Sequence, residues 1–299
     1  MRGSARVFFF SLALGSLQLA FSIASDLPDH IAVVRSLISR RELGKAESLA
    51  VRQLASRAHD PAWILLLAEI RLDQQRFAES LQLVKDAQDL AGRSAQGELL
   101  AGLDYVAMRR NDLAEPELRA AVELDSSDPA PNYYLGRLLY NRNSFDEAIQ
   151  FTLRALALNP NLVRAYDNLG LCYEAESLYE QAKEQYLKGV QLQRASGEAV
   201  EWPALDLGTM LLAHGNQTEA ISYLREAVTI APKSADTHFR LGTALQASEA
   251  ISGATAEYQK AIELNPCLAA AHYRLAALYR RSGQFTLAEK ELLAFQQSK

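Results

Sequence analysis

PAPNYYLGRLLYNRNSFDEAIQFTLRALALNPNL, residues 129–162, holds two helical patterns and the signals that end each of them. Between Asn132 and Tyr140 the apolar residues Tyr134, Leu135, Leu138 and Leu139 follow the i, i+3, i+4 spacing of a helix with one buried face. Asn141-Arg142-Asn143-Ser144 interrupts it, because Asn and Ser satisfy backbone groups in turns and serve as helix caps. Helical spacing resumes from Phe145 to Leu158 through Ala148, Ile149, Phe151, Leu153 and Leu156. Asn159-Pro160 stops it, since proline has no amide hydrogen and disfavours helical backbone at the preceding residue. The small side chains of Gly136, Ala148 and Ala155 let the two helices pack closely as an antiparallel pair.

The pattern repeats. Leu135-Gly136, Leu169-Gly170, Leu207-Gly208, Leu241-Gly242 and Leu275-Ala276 recur with a period of about 34 residues, stretched once between Gly170 and Leu207. Ala148, Ala182, Ala220, Ala254 and Ala288 keep the same steps. A period of this length predicts stacked helix pairs, each burying its apolar face on its neighbour, with function on a surface and not in a catalytic pocket. Weaker units extend upstream over 95–128, 61–94 and 27–60. In 95–128 the Asn111-Asp112-Leu113 turn sits two residues late and Pro116 falls in the second helix, which predicts a distorted unit. The four extra residues near Ser196 predict one more helical turn in preference to a flexible joint, and the seventh unit has Ala247-Ser248-Glu249-Ala250 where its turn would favour Gly or Asn.

Tyr166-x-x-Leu169-Gly170-x-x-Tyr173 followed by Ala182-x-x-x-Tyr186 resembles the tetratricopeptide repeat. That family's Trp phase is held here by Asn132, Tyr166, Ala204, His238 and His272, and its Phe phase by Thr152, Tyr186, Leu224, Tyr258 and Leu292. The resemblance implies an all-α, right-handed superhelical solenoid of about eight antiparallel helix pairs, with units near 27–60, 61–94, 95–128, 129–162, 163–200, 201–234, 235–268 and 269–299. A one-dimensional array of this kind over 25–299 reads as a single elongated domain.

Residues 1–24 are of another class. Arg2 and Arg6 precede an apolar run from Val7 to Ala20, and Ser22-Ile23-Ala24 offers small residues before a cleavage point at Ser25. This predicts a secretory signal peptide in preference to an uncleaved anchor, and so an exported, periplasmic chain with no integral membrane span after cleavage. Removal of the two arginines takes the formal charge from −5 to −7, which argues against nucleic acid or an anionic membrane as the principal partner. Cys172 lies within a first helix and Cys267 follows Pro266 several helices away, too far for a disulfide, so two free thiols are expected, one buried and one in a loop.

No nucleophile motif, phosphate loop, zinc spacing or paired-carboxylate constellation is present, and the chain is read as non-enzymatic, with no cofactor or metal. His238 and His272, one repeat apart, are read as packing residues of the Trp phase with no Cys or carboxylate at that phase to complete a metal shell. Asn216-Gln217-Thr218 fits a glycosylation acceptor but is already explained as a turn.

The family's first helices line the inner, concave face of the superhelix, and the resemblance places Tyr133, Tyr134, Arg137, Tyr140 and Asn141 of the fourth unit there. Arg164, Asp167, Asn168 and Glu174 follow, then Trp202 and Asp206, then Asp236, Phe239, Arg240 and Gln246, then Tyr273, Arg274, Arg280 and Arg281. Aromatics mixed with arginines are enriched at binding hot spots, and this strip is the expected ligand groove. Ile31, Leu65, Leu66, Leu99 and Leu103 predict a more apolar channel near the N-terminus. The clamp with which related co-chaperones grip a peptide carboxylate is not reproduced, although Arg240, Arg274 and Arg280 could hold an acidic segment. The resulting expectation is a scaffold or adaptor binding a protein or extended peptide. The alternative is an accessory subunit of an envelope export or assembly complex that binds polysaccharide or its synthase. Leu292, Leu293 and Phe295 in the last helix predict open apolar surface, either a frayed end or a homodimer contact.

Overall fold

Eight turns set the architecture. Arg41, Gln75, Arg109, Asn143, Ser177, Gly215, Glu249 and Gly283 adopt left-handed backbone, with φ between 60 and 82°, and they recur once per repeat, with a single longer step from Ser177 to Gly215. In each turn the next amide donates to a carbonyl five residues back, from Glu42 to Leu37 through Gln284 to Tyr279, at 2.8–2.9 Å. This is the Schellman closure, which satisfies carbonyls that a helix end otherwise leaves unpaired. Only two of the eight left-handed positions are glycine and one is asparagine, so the closure is imposed by the stack on residues that disfavour it.

The computed structural model describes residues 30–56 and 59–298, and the predicted signal peptide at 1–24 lies outside them. Sixteen helices are described: α1 His30–Ser39, α2 Leu43–Ser56, α3 Pro61–Asp73, α4 Phe77–Ala91, α5 Ala95–Ala107, α6 Asn111–Leu124, α7 Pro129–Asn141, α8 Phe145–Leu158, α9 Val163–Ala175, α10 Tyr179–Ser196, α11 Trp202–Ala213, α12 Gln217–Ile230, α13 Ala235–Ala247, α14 Ile251–Leu264, α15 Ala269–Arg281 and α16 Phe285–Gln297. Odd and even helices pair, as the all-α reading expects, and the described residues contain no strand. Contacts group the chain into two compact units, 1–159 with α1 to α8 and 160–299 with α9 to α16.

Close approach within each pair depends on the residue after the recurring Leu. A Cβ added at Gly136 would lie 2.5 Å from Thr152 Oγ1, and one at Gly170 would lie 2.5 Å from Tyr186 Cε1. Ala148, Ala155 and Ala182 are fully buried beside them. First helices begin on side-chain caps: Asp60 accepts from the Ala62 amide, Ser94 from Gly97, Asp128 from Ala130 and Ser234 from Thr237.

Three sequence expectations resolve here. The 95–128 unit is in register: Arg109 carries the turn one repeat before Asn143, and α6 runs unbroken through an exposed Pro116, at the cost of the one helical bond its missing amide would have made. The four extra residues lengthen α10 to 18 residues, ended by Gly197 at φ 69°, as the added turn predicted. The seventh unit makes its turn with Glu249 at φ 61°.

Candidate functional site

In the first unit the strip lies on α7. Tyr133 and Tyr140 are half-buried and stack on neighbours, Tyr133 on Tyr134 with centroids 5.0 Å apart and Tyr140 on Phe145 at 5.8 Å. Arg137 is half-buried and Asn141 exposed. The predicted apolar channel is absent: Leu65, Leu66, Leu99 and Leu103 are buried and Ile31 half-buried. Successive first helices pack on one another here, so these leucines fill the seam, with Leu66 and Ile31 in one core cluster around Trp63. The polar members of this region are carboxylates in apolar surroundings. Burial pushes Glu69 up to about 7, opposed by Arg35, and Asp73 up to about 6, opposed by Arg41.

The second unit presents its strip on α9, α11, α13 and α15, and exposure rises toward α15. Asn168 and Asp206, both expected to face a ligand, are buried at 0% and 3%. Both belong to the packing of the first helices and not to an open groove. Arg164 and Trp202 are half-buried. On α13, Phe239 stacks on Tyr258 at 5.7 Å, while Arg240 is held by Asp236 Oδ2 at 3.1 Å and by Thr209 Oγ1 of α11 at 3.5 Å. On α15, Tyr273 is 55% exposed, one edge of its ring resting on Phe295, and Arg274, Ala277, Arg280 and Arg281 are exposed with it. Arg281 donates to Glu249 Oε2 in the neighbouring turn at 2.6 Å. Among the described residues no hydrogen bond or ion pair engages Arg274 or Arg280. Ala277 was not singled out from the sequence, yet it forms the small-residue floor between these side chains. Helical spacing alone would have placed it there.

Acidic groups stand on α9, ahead of α11 and on α13. The Tyr186 hydroxyl donates to Glu174 Oε2 at 2.9 Å, and burial, with the charges of Asp206, Glu174 and Asp167, drives that phenol well above its ordinary range. Burial raises Glu201 as well; Arg164 opposes the rise, and Asp236 and Asp206 add to it.

His238 and His272 fill the Trp phase as expected, buried at 7% and 5%. Each imidazole also meets a carboxylate from the second helix of its unit, at a different phase of the repeat. His238 Nδ1 lies 2.6 Å from Glu257 Oε2 and its Nε2 3.1 Å from the Pro232 carbonyl oxygen; His272 meets Glu291 and Pro266 in the same way at 2.6 and 3.0 Å. Glu257 and Glu291 stand one repeat apart, a relation visible in the sequence once both helices of a unit are considered. Each imidazole ties an inter-unit loop to a second helix, and among the described residues no group of three or more His, Cys, Asp or Glu side chains could hold a metal ion. Cys172 is buried and Cys267 exposed, both free, as expected. Among the described residues no helix is long and apolar enough to cross a membrane.

Comparison with known proteins agrees with this architecture. Family models described as tetratricopeptide repeat match residues 99–163, 161–233 and 257–290. Tetratricopeptide repeat protein 37 of Xenopus laevis is 24% identical over 66% of this chain and 15% of its own length. BBSome complex member BBS4 of Bos taurus is 22% identical over 82% of this chain and 46% of its own. Cellulose synthase operon protein C of Xanthomonas axonopodis pv. citri is 29% identical over 48% of this chain and 10% of its own. The chain thus spans less than half the length of each of these relatives. Among solved structures, the APC/C hetero-tetramer Cut9-Hcn1 superposes with a TM-score of 0.71 at 16% identity over 90% of this chain and 52% of that one, and yeast Tom70 with 0.64 at 16% over 94% and 62%. These likenesses show the fold, and with the repeat matches they identify the chain as a member of the tetratricopeptide repeat family.

Proposed function

We propose that this chain is a non-enzymatic scaffold, exported to a periplasm, whose second unit takes up an extended peptide segment of a partner protein along α11, α13 and α15. One observation carries the reading: on α15 an exposed tyrosine and two arginines that make no hydrogen bond or ion pair surround an exposed alanine, while Asn168 and Asp206 are buried and Arg240 and Arg281 are engaged. Exposed aromatic and guanidinium groups supply contact area and directional donors for a ligand. Two similar proteins are named for complexes, the BBSome and the APC/C hetero-tetramer, which supports a role in assembly.

The similarity to cellulose synthase operon protein C favours a second reading, an accessory subunit of an envelope complex in which Trp202, Phe239 and Tyr273 stack on polysaccharide. A photoreactive residue replacing Tyr273, irradiated in cells, separates the two: protein adducts that release a discrete peptide on digestion support the first, and glycan retention without protein adducts overturns it. The mass of the mature chain, beginning at Ser25 or at Met1, tests export. A homodimer through α16, where Phe285, Leu287 and Leu293 are exposed, would give a doubled mass in sedimentation that charge substitution at Leu293 abolishes.

A further inference from the structure

The inner face of the second unit is electrically lopsided. Glu174 stands on α9, Glu201 ahead of α11 and Asp236 on α13; Glu174 accepts from the Tyr186 hydroxyl and Asp236 is paired with Arg240, while among the described residues the half-buried Glu201 makes no ion pair. The α15 sequence, from Ala269 to Arg281, contains no acidic residue and three arginines. At about 100° per residue, Tyr273 and Arg280 fall on one flank of Ala277 and Arg274 and Arg281 on the other. Arg281 is neutralised by Glu249, and Arg240, in between, by Asp236. The uncompensated positive charge is therefore that of Arg274 and Arg280, over a floor small enough for a backbone to lie on.

We infer, resting on the peptide-groove reading above, that the ligand is a charge-polarised peptide: its acidic residues lie over Ala277 between Arg274 and Arg280, and a basic residue lies toward Glu201. Two steps between neighbouring first helices span roughly 20 Å, which about six extended residues cover. Carboxylates meeting guanidinium groups form charge-assisted, often bidentate hydrogen bonds, and the opposed charge at the far end fixes the register and rejects peptides lying the wrong way round. A carboxylate-bearing protein segment is favoured over a general polyanion, because a uniformly anionic polymer would meet Glu201 with no positive charge of its own to pair it.

The test uses the full chain and fluorescent peptides of about twelve residues, read by anisotropy: an acidic block joined to a basic block in both chain directions, a uniformly acidic peptide, a uniformly basic one and a neutral one. One direction of the block peptide is expected to bind at least about tenfold more tightly than the others, and R274E/R280E to weaken it at least about tenfold, with R274K/R280K intermediate because lysine keeps the charge and loses the bidentate fork, and helicity unchanged by circular dichroism. Equal binding of the neutral or basic peptide, insensitivity to R274E/R280E, or displacement by polyphosphate as effective as by the block peptide overturns the inference. Ala277→Trp fills the floor without changing charge. If it abolishes peptide binding while the charge variants do nothing, peptide docking stands and polarity fails; if no peptide binds at all, the groove reading fails with it.

Discussion

Replacing Asp104 by leucine should stabilise the protein, and more so at high pH. Asp104 lies in α5 at the phase held elsewhere by Ile70, Leu138, Cys172, Met210, Ala244 and Leu278, all buried and apolar. Its exposure is 0% and neither carboxylate oxygen has a hydrogen-bond partner. Ser80, which acts on this carboxyl, stands where the other units have alanine and donates its hydroxyl to the Ala68 carbonyl at 2.9 Å. Burial pushes the Asp104 carboxyl from 3.8 up to about 7, against a smaller downward pull from Ser80. The folded state thus holds this proton more tightly than the unfolded chain does. Asp104 costs nothing by ionisation below about pH 4, and its penalty grows as pH rises toward 7. At about 1.4 kcal/mol per pK unit the full penalty is on the order of 4 kcal/mol. Leucine at 138 and 278 shows that the slot accepts the larger side chain without strain. Urea unfolding of wild type and Asp104→Leu at pH 4.5 and pH 8, followed by circular dichroism, should show the variant ahead at both and its advantage widening by a few kcal/mol at pH 8. A difference that does not change with pH, or a variant less stable at pH 8, would refute the claim that an unpaired carboxylate is buried there.

Further outcomes follow from the turns, the helix contacts and the thiols. Ser177→Gly should raise stability by about 0.5–1 kcal/mol by relieving left-handed strain at φ 61°, and Gly215→Ala should lower it by about 1 kcal/mol, both read from thermal melts. Gly170→Ala places a methyl against the Tyr186 ring and should cost about 1–3 kcal/mol, recovered in large part by Gly170→Ala with Tyr186→Leu, which reproduces the Ala276 and Leu292 pair of the eighth unit; no recovery in a double-mutant cycle contradicts the packing. One thiol, Cys267, should react with Ellman's reagent in the native protein and Cys172 only after denaturation; two fast thiols would place Cys172 wrongly.

The period, the pairing and the register of the helices were legible because they depend on local signals repeated at one spacing: Leu-Gly and the buried alanines. Even the unit that looked displaced at Asn111 obeys the ruler set by its neighbours, since stacking fixes where Arg109 must turn. The candidate strip was legible only in outline. That Arg240 is engaged by Thr209 of another helix, while Arg274 is not, depends on which helices pack side by side. Leu65 and Leu99 carry the spacing of a groove, yet they close a seam because the gap between first helices is too narrow to leave them open. Ala277 escaped notice because a small residue contributes to a site by what it leaves uncovered.

The central claim is that a partner lies on the α15 face of the second unit. Hydroxyl-radical footprinting of the free and partner-bound protein tests it most directly, since Tyr273 on α15 and Phe285 and Leu287 on α16 are all exposed and of reactive types. The account predicts strong protection of Tyr273, some protection of Phe239 and none of Phe285 or Leu287. Protection of the α16 residues with Tyr273 left as reactive as in the free protein would contradict it.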